Sequence, residues 1–264
     1  MTCHNHISFY LFFILLIYPF FEVETFTPIG RHGHSSVLVE NKIYFFGGTI
    51  DVEGGSTNEV FYLDVSQQFN IAFPPFNDVT ANEGIPFNSS FGTVSSRDKN
   101  NEETIFLFGG YTYNDSITSL VYTLNLKSGK WDNPVIAEKA PEKRAAIQGV
   151  IDDFGNIYIF GGGDLSGEGN FPNLLNDMII LNTNDLKWSY GPDFNAPSKR
   201  GYYTATLLSN GMIVYIGGQE QTEDNLFREV DMNQINTYDT NSASWSAMVC
   251  IYSNNYDYKL LYGI

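Results

Sequence analysis

Residues 42–48 read KIYFFGG, an apolar run that ends in a glycine pair. The same arrangement occurs three more times, as IFLFGG at 105–110, IYIFGG at 157–162 and IVYIGG at 213–218. A single large aromatic residue follows each pair, 20 to 27 residues further on. The pairs are Gly47-Gly48, Gly109-Gly110, Gly161-Gly162 and Gly217-Gly218, and the aromatics are Phe69, Trp131, Trp188 and Trp245. Successive tryptophans are 57 residues apart, and a period near 50 residues predicts a propeller-like array of repeated sheets.

The local pattern within each unit is typical of antiparallel strands. About four short runs rich in Ile, Val, Tyr and Phe are separated by clusters of Gly, Asn, Asp and Ser. The run before each glycine pair is apolar at every position, which predicts an inner strand covered on both faces. We expect the glycines to be structural, since they allow unusual backbone torsions and close approach of a neighbouring sheet. Each tryptophan is expected to wedge between sheets.

This order of signals resembles the kelch repeat, and the resemblance covers Gly30 to Trp245. An arginine opens three of the four units, at Arg31, Arg144 and Arg200. The resemblance implies an all-β fold, a kelch-type β-propeller of four-stranded antiparallel blades. Four blades are recognisable, at residues 30–75, 88–135, 142–192 and 198–245, within a repeat region of 26–245. Residues 246–264 are predicted to form an incomplete fifth blade or an aberrant C-terminal tail, so a truncated chain and a ring completed by a partner both remain open.

The first 25 residues do not belong to the repeats. Ile7 to Phe21 is almost wholly apolar, which predicts a signal peptide, or a signal anchor if it is not cleaved. The expected location is therefore secreted or at the cell surface. Two glycosylation acceptors, Asn88 and Asn114, fit that expectation. Cys250 would be the one cysteine left after cleavage, so no internal disulfide is expected.

The charge balance limits the class of partner. The chain has 14 basic and 30 acidic residues, a formal net charge of −16. Nucleic acids and anionic membrane surfaces would be repelled, so we expect a protein or a basic peptide as ligand. A membrane contact is expected only through an uncleaved N-terminal anchor or a further C-terminal segment.

The sequence contains few residues suited to catalysis. Outside the first 25 residues the histidines are His32 and His34, whose alternate spacing would put both rings on one face of a strand. No partner set for a metal site or a Ser-His-Asp triad accompanies them. The propeller is also similar to that of galactose oxidase, but the Cys, Tyr and His residues of that copper site are not found here. We therefore expect no enzyme activity, no cofactor and no metal, and a non-catalytic binding platform such as attractin-like and muskelin-like propellers form. An enzyme remnant of the galactose-oxidase type and a truncated propeller without independent function are the alternatives.

The candidate binding site consists of acidic residues in the segments that follow the glycine pairs. Loops on a rigid scaffold commonly carry recognition, and a ring of carboxylates would attract a basic ligand. This acidic rim comprises Asp51, Glu53, Asp115, Asp164, Glu168, Glu220, Glu223 and Asp224. The alternative is that acidic loops only form turns and keep the surface soluble.

Overall fold

The computed structural model describes residues 26–50, 55–99, 102–112, 119–136, 139–165, 173–251 and 259–262. These residues form six antiparallel sheets, which group in sequence order into four units that we call blades one to four. In blades one and four a small three-stranded sheet accompanies the main sheet. Blade one contains β1 (Arg31–His32), β2 (Ser35–Val39), β3 (Lys42–Phe46), β4 (Thr49–Ile50), β5 (Gly55–Ser56), β6 (Val60–Asp64) and β7 (Phe76–Asp78). The short helix α1 (Thr80–Glu83) follows it. Blade two contains β8 (Thr93–Lys99), β9 (Glu102–Phe108), β10 (Val121–Asn125) and β11 (Lys130–Asp132).

The second half of the chain repeats this plan. Blade three contains β12 (Arg144–Ala145), β13 (Gly149–Ile151), β14 (Asn156–Asp164), β15 (Leu174–Asn182) and β16 (Lys187–Tyr190). Blade four contains β17 (Arg200–Gly201), β18 (Thr204–Leu207), β19 (Met212–Ile216), β20 (Gln219–Gln221), β21 (Phe227–Glu229), β22 (Gln234–Asp239), β23 (Ser244–Ile251) and β24 (Lys259–Tyr262). From the inside outward the main sheets run β2-β3-β6-β7, β8-β9-β10-β11, β13-β14-β15-β16 and β18-β19-β22-β23. The predicted all-β propeller with four-stranded antiparallel blades is thereby confirmed.

The innermost strands of successive blades are neighbours. Strand β2 packs beside β8, β8 beside β13, and β13 beside β18. One hydrogen bond per junction links them at equivalent places: Ser35 Oγ to the Gly92 carbonyl at 2.9 Å, Gly149 N–H to Thr93 Oγ1 at 2.9 Å, and Ala205 N–H to Gln148 Oε1 at 3.1 Å. The inner strands therefore curve around a central channel.

The hydrophobic cores lie between blades. Three clusters of buried residues occur, and each combines the side chains of two consecutive blades. Each tryptophan packs on the phenylalanine that precedes the glycine pair of the previous blade. The ring centroids are 6.2 Å apart for Trp131 and Phe46, 6.3 Å for Trp188 and Phe108, and 4.7 Å for Trp245 and Phe160. An aromatic once per repeat thus seals each junction.

The glycine pairs allow consecutive blades to approach closely. All eight glycines have φ between 56° and 100°, a region that L side chains rarely adopt. A Cβ at Gly109 would come closer than 3.0 Å to the carbonyl oxygen of Arg144, in the next blade. The first glycines of blades one and three meet the next blade in the same way, through Ser89 and Arg200. The pair therefore ends the strand and also makes room for the following blade.

The outer strand of blade one differs from the sequence interpretation. Phe69 lies in the connection between β6 and β7 and is 37% exposed. Phe76 instead pairs with Leu63, as Trp131 pairs with Leu124 in blade two. Phe76 precedes Trp131 by 55 residues, close to the tryptophan period. The long connection in blade one shifts its aromatic, so Phe69 is not the equivalent of the tryptophans.

The C-terminal residues extend blade four. The sequence suggests an incomplete fifth blade at 246–264, but Ser244–Ile251 is the fourth strand of blade four. Strand β24 pairs antiparallel with it and adds a fifth strand to the same sheet. The apolar run at 244–251 continues a strand that Trp245 anchors, which explains why no new blade starts there. Within the described residues, no helix has the length and apolar character needed to cross a membrane.

Candidate functional site at the channel mouth

In each blade, a residue two or three positions ahead of the inner strand adopts a left-handed backbone. These residues are Gly33, Phe91, Ala146 and Tyr202, with φ of 63°, 58°, 58° and 59°. Their amides form a ladder: Phe91 N–H donates to the Gly33 carbonyl at 2.6 Å, Ala146 N–H to the Phe91 carbonyl at 2.8 Å, and Tyr202 N–H to the Ala146 carbonyl at 2.9 Å. Such a conformation costs a non-glycine residue about 1 kcal/mol or more and persists only where its surroundings impose it. We call these four residues, which follow one another along one end of the inner strands, the channel mouth.

The channel mouth carries a cluster of aromatic rings. The ring of Phe91 is 5.7 Å from His32, 5.9 Å from Tyr111 and 5.8 Å from Tyr202, measured between centroids. The Tyr111 and Tyr202 rings are nearly perpendicular to it, an edge-to-face arrangement that favours aromatic contacts. Tyr202 is 47% exposed. A rigid amphipathic surface therefore faces solvent at this end of the channel.

Beneath the aromatics lies a cavity of about 410 Å³. Its walls combine backbone of the mouth residues with polar side chains, namely Ser35, Ser36, Thr93 and Gln148. Gln148 uses its Oε1 to accept from Ala205 N–H, which fixes the side chain and leaves its Nε2 group as a further donor. An apolar edge above convergent hydroxyl and amide groups suits a peptide or a polar organic group.

The leading arginines support the entry to the channel mouth. Arg144 is 1% exposed and donates to the Gly161 carbonyl at 3.0 Å and to both oxygens of Asp177 at 2.8 and 3.1 Å. Arg31 makes the same kind of contacts with the Gly47 carbonyl, at 3.2 Å, and with Glu59. These bonds hold each arginine against the glycine pair of its own blade. They thereby fix the position of the arginine and of the residue after it, which directly precede the mouth residue.

Arg200 occupies the same position in blade four but lacks these bonds. It is 0% exposed, and among the described residues its guanidinium nitrogens have no hydrogen-bond partner. Burial lowers the pKa of Arg200, although the nearby Glu220 carboxylate acts in the opposite direction. Arg31 pairs with Glu59 and Arg144 with Asp177, but blade four has Gln234 at the corresponding position.

The two histidines point to different neighbours. Gly33, with its left-handed backbone, separates them, so they do not share one strand face as the alternate spacing predicts. The His34 ring is 5.7 Å from Phe45, within its own blade, whereas His32 contacts Phe91 of blade two. Burial and then the charge of Arg31 lower the pKa of His34. Among the residues that the structure describes, no group of three or more His, Cys, Asp or Glu side chains could hold a metal ion.

Glu220 of the predicted acidic rim is a buried strand residue. It lies in β20 and is 6% exposed. Its carboxylate accepts hydrogen bonds from Ser198 and, at 2.5 Å, from Arg228. Burial acts to raise the pKa of Glu220, but these two bonds and the charges of Arg228 and Arg200 outweigh it and lower the pKa. Glu220 thus holds the hairpin of β20 and β21 together instead of facing a ligand.

The other described rim residues are accessible. Glu223 and Asp224 are exposed at the tip of the hairpin whose strand β20 pairs with β17, immediately before Tyr202. Asp164 ends β14, opposite Arg144 in the register. Four predicted rim residues lie outside the described residues: Asp51, Glu53, Asp115 and Glu168. Glu223, Asp224 and Asp164 therefore lie at the same end of their blades as the channel mouth.

Of the two glycosylation acceptors, Asn88 is exposed and Asn114 lies outside the described residues. The hydroxyl of Ser90, the third residue of the first acceptor triplet, is buried and lies 2.7 Å from Ser56 Oγ.

The sequence interpretation missed the mouth residues. A signal for them was present, because Gly33, Ala146 and Tyr202 each stand two positions after a leading arginine. Blade two lacks that arginine, which hid Phe91. The four mouth residues also differ in side chain, from Gly to Tyr, so a search for a side chain that recurs in each blade does not detect them.

Comparison with known proteins gives one consistent family. A family model described as the KLHDC2/KLHL20/DRC7 Kelch-repeats domain matches residues 33–256. Kelch domain-containing protein 3 of Rattus norvegicus is 24% identical over 227 residues, which are 81% of this chain and 56% of that protein. Rab9 effector protein with kelch motifs of Mus musculus is 26% identical over 145 residues, covering 54% and 35%. The chain thus spans about half the length of the first of these relatives.

A solved structure, that of YjhT, has the same fold. It superposes with a TM-score of 0.60 at 14% sequence identity and covers 88% of this chain and 68% of its own.

Proposed function

Because this chain belongs to the kelch-repeat family, we propose that it is a non-catalytic binding platform whose channel mouth holds a protein or peptide ligand. The observation that carries the proposal is the set of strained residues at the channel mouth. Phe91 and Tyr202 have positive φ, and their rings meet above a cavity with polar walls. Strain of this kind clusters at binding sites, where it orders the surface before the ligand arrives.

The charge of the molecule selects the ligand class. A net charge of −16 and the exposed Glu223 and Asp224 beside the mouth favour a basic or neutral peptide segment over an acidic one. The aromatics would supply contact area, while the rim would steer the ligand and set its rate of association.

The apolar stretch at residues 7–21 supports a place in the secretory pathway for this platform. The excess of acidic residues and the exposed acceptor Asn88 are compatible with it. Expression in a secreting host tests this part of the proposal: the chain should appear in the medium or on the surface, and Asn88→Gln should reduce its mass by one glycan. Retention in the cytosol without a glycan would exclude it.

The binding proposal is tested with a library of displayed random peptides selected on the immobilised chain. The affinity of a selected peptide is then compared between the unchanged protein, Tyr202→Asn and Tyr190→Asn. Asparagine tolerates the left-handed backbone at residue 202, so the change removes the ring without adding strain. Tyr190 is a matched control because it is 59% exposed on the outer strand β16, away from the mouth.

We expect the selected peptides to be enriched in Lys and Arg and to lose about tenfold or more in affinity with Tyr202→Asn, the loss of a central aromatic contact. Tyr190→Asn should leave the affinity unchanged. Equal losses for the two variants, or none for Tyr202→Asn, would show that the channel mouth is not the site.

A further inference from the structure

A cavity of about 330 Å³ lies between blades two and three. We call it the inter-blade cavity. Its walls include Arg97, Thr104 and Asp132 of blade two and Thr183 of blade three. Arg97 is near the end of β8, whose other end follows the mouth residue Phe91, so the cavity is at the opposite end of the blades from the channel mouth. Its volume is within the range of about 300–1,000 Å³ that is usual for small-molecule sites.

The inter-blade cavity exists because blade two carries a small residue where its neighbours carry large ones. Thr123 occupies the register position that Tyr62 has in blade one and Ile180 has in blade three. Tyr62 and Ile180 pack against the hydrophobic cluster of the junction that follows their blade. Thr123 is shorter, so it leaves a space at the junction of blades two and three and places a hydroxyl group on the wall of that space.

Arg97 brings a positive charge to the cavity, and blade three holds its guanidinium in place. Its Nη1 donates to Thr183 Oγ1 and lies 3.5 Å from the Phe154 carbonyl. Thr183 Oγ1 donates in turn to the Gly155 carbonyl at 2.8 Å. A Cβ at residue 155 would overlap Nη1, so glycine at this turn makes the room that the guanidinium needs.

The other edge of the Arg97 guanidinium is available to a ligand. All of its hydrogen bonds to described residues come from Nη1, and it forms no ion pair with a described carboxylate. The N–H groups of Nε and Nη2 point to the same side and form a fork that binds a carboxylate through two parallel hydrogen bonds. Because Nη1 is already anchored, this fork does not have to be ordered when a ligand binds.

Asp132 supplies the opposite charge on the same cavity. It lies in β11, opposite Thr123 in the register. Its Oδ1 accepts from the Asn133 N–H at 2.8 Å, which orients the carboxylate and leaves Oδ2 as an acceptor for a ligand. A carboxylate at this place disfavours a simple anion but pairs with a ligand that carries a positive charge beside its negative one.

We propose that the inter-blade cavity binds a free α-amino acid with an uncharged side chain. The Nε and Nη2 groups of Arg97 bind its carboxylate, and Asp132 binds its ammonium group. Phe106 and Leu186 offer apolar contact to its side chain, and apart from Arg97 and Asp132 the walls carry no charge. This site is separate from the channel mouth and does not depend on peptide binding there.

The test is thermal unfolding of the full chain with each standard L-amino acid, with acetate and with inorganic phosphate, all at millimolar concentration. Calorimetry then gives the dissociation constant of each compound that raises the melting temperature. We expect at least one uncharged amino acid to bind, and neither acetate nor phosphate. No binding by any amino acid, or equal binding of acetate and phosphate, would overturn the proposal.

Two variants test the residues that form the site. Arg97→Lys keeps the charge but loses the fork, so the affinity for the amino acid should fall about tenfold or more. Thr123→Ile places in blade two the residue that blade three has, and should abolish binding because it fills the cavity. A thermal melt without ligand verifies that each variant is folded. Binding that survives both changes would overturn the proposal.

Asp132→Asn tests the selection of a ligand with both charges. It should weaken binding of the amino acid and allow acetate to bind, since the repulsive carboxylate is gone. Asp231→Asn is the matched control: Asp231 of blade four also accepts a backbone N–H through Oδ1, from Asn233 at 2.9 Å, but does not line the cavity. This control should leave the affinity unchanged. Equal effects of the two asparagine variants would contradict the role of Asp132.

Discussion

Substitution of the first glycine of a pair by alanine tests how closely the next blade approaches it. Gly109 and Gly217 are equivalent residues with nearly equal φ, 58° and 65°. They differ in what surrounds them: Gly109 abuts the backbone of blade three, and Gly217 faces only the flexible side chain of Met232. Alanine at either position introduces the same backbone strain, but only at residue 109 does it also push against the neighbouring blade.

The expected losses in the free energy of unfolding follow from the backbone strain and from the contact with the neighbouring blade. A left-handed backbone costs alanine about 1 kcal/mol relative to glycine. A methyl group forced against a fixed carbonyl adds about 2 kcal/mol, as overpacking does elsewhere. Gly109→Ala should therefore lower the free energy of unfolding by about 3 kcal/mol and Gly217→Ala by about 1 kcal/mol. At about 2–4 °C per kcal/mol for a domain of this size, the melting temperatures should fall by about 6–12 °C and 2–4 °C.

Thermal unfolding followed by tryptophan fluorescence measures both losses, since Trp188 and Trp245 report from the junctions. Equal shifts for the two variants would refute the reasoning, because the close approach of the next blade would then not be what requires glycine.

Three further predictions concern single side chains. Arg144→Met should lower the free energy of unfolding by about 2 kcal/mol because it leaves Asp177 without its partner. Arg200→Met should leave it unchanged or raise it by about 1 kcal/mol, since it removes a buried charge that has no hydrogen-bond partner among the described residues. Urea titration compares the two variants, and equal losses would contradict this difference. Phe76→Ala should cost about 2 kcal/mol and Phe69→Ala less than about 0.5 kcal/mol in the same titration, because only the former packs within the sheet; the reverse order would restore Phe69 as the blade aromatic. The pKa of His34 is lower in the folded chain than in the unfolded chain, so at a pH between these two values the unfolded chain binds more protons. Stability should therefore fall as the pH drops below about 6.5, and His34→Gln should weaken that fall. An unchanged pH profile of stability in His34→Gln would exclude this role of His34.

The repeated part of the fold was predictable because its cause is local and recurs. A strand that is apolar at every position, followed by Gly-Gly, marks a buried strand whose end must turn and admit a neighbour, and Gly109-Gly110 shows both requirements in the structure. Blade one was harder, since the long connection from Asp64 to Phe76 displaces its aromatic from the usual spacing. The C-terminal strands were missed as part of blade four because a strand that joins an existing sheet and one that starts a new blade have the same local pattern.

The candidate site was less predictable. The acidic residues correctly indicated the loops beside the channel, where Glu223 and Asp224 are exposed. The spacing does not reveal that the Glu220 carboxylate is buried and pairs with Arg228. The channel mouth is defined by a backbone conformation. Phe91 and Tyr202 share φ and hydrogen bonding but little chemistry, so only the coordinates bring them together.

The most direct test of the binding proposal is hydrogen–deuterium exchange of the chain with and without a peptide selected from the displayed library. The account predicts added protection at the segments around Gly33, Phe91, Ala146 and Tyr202, with no change in the outer strands β7, β11 and β16. Protection confined to the outer strands, with the segments of the channel mouth unaffected, would contradict it.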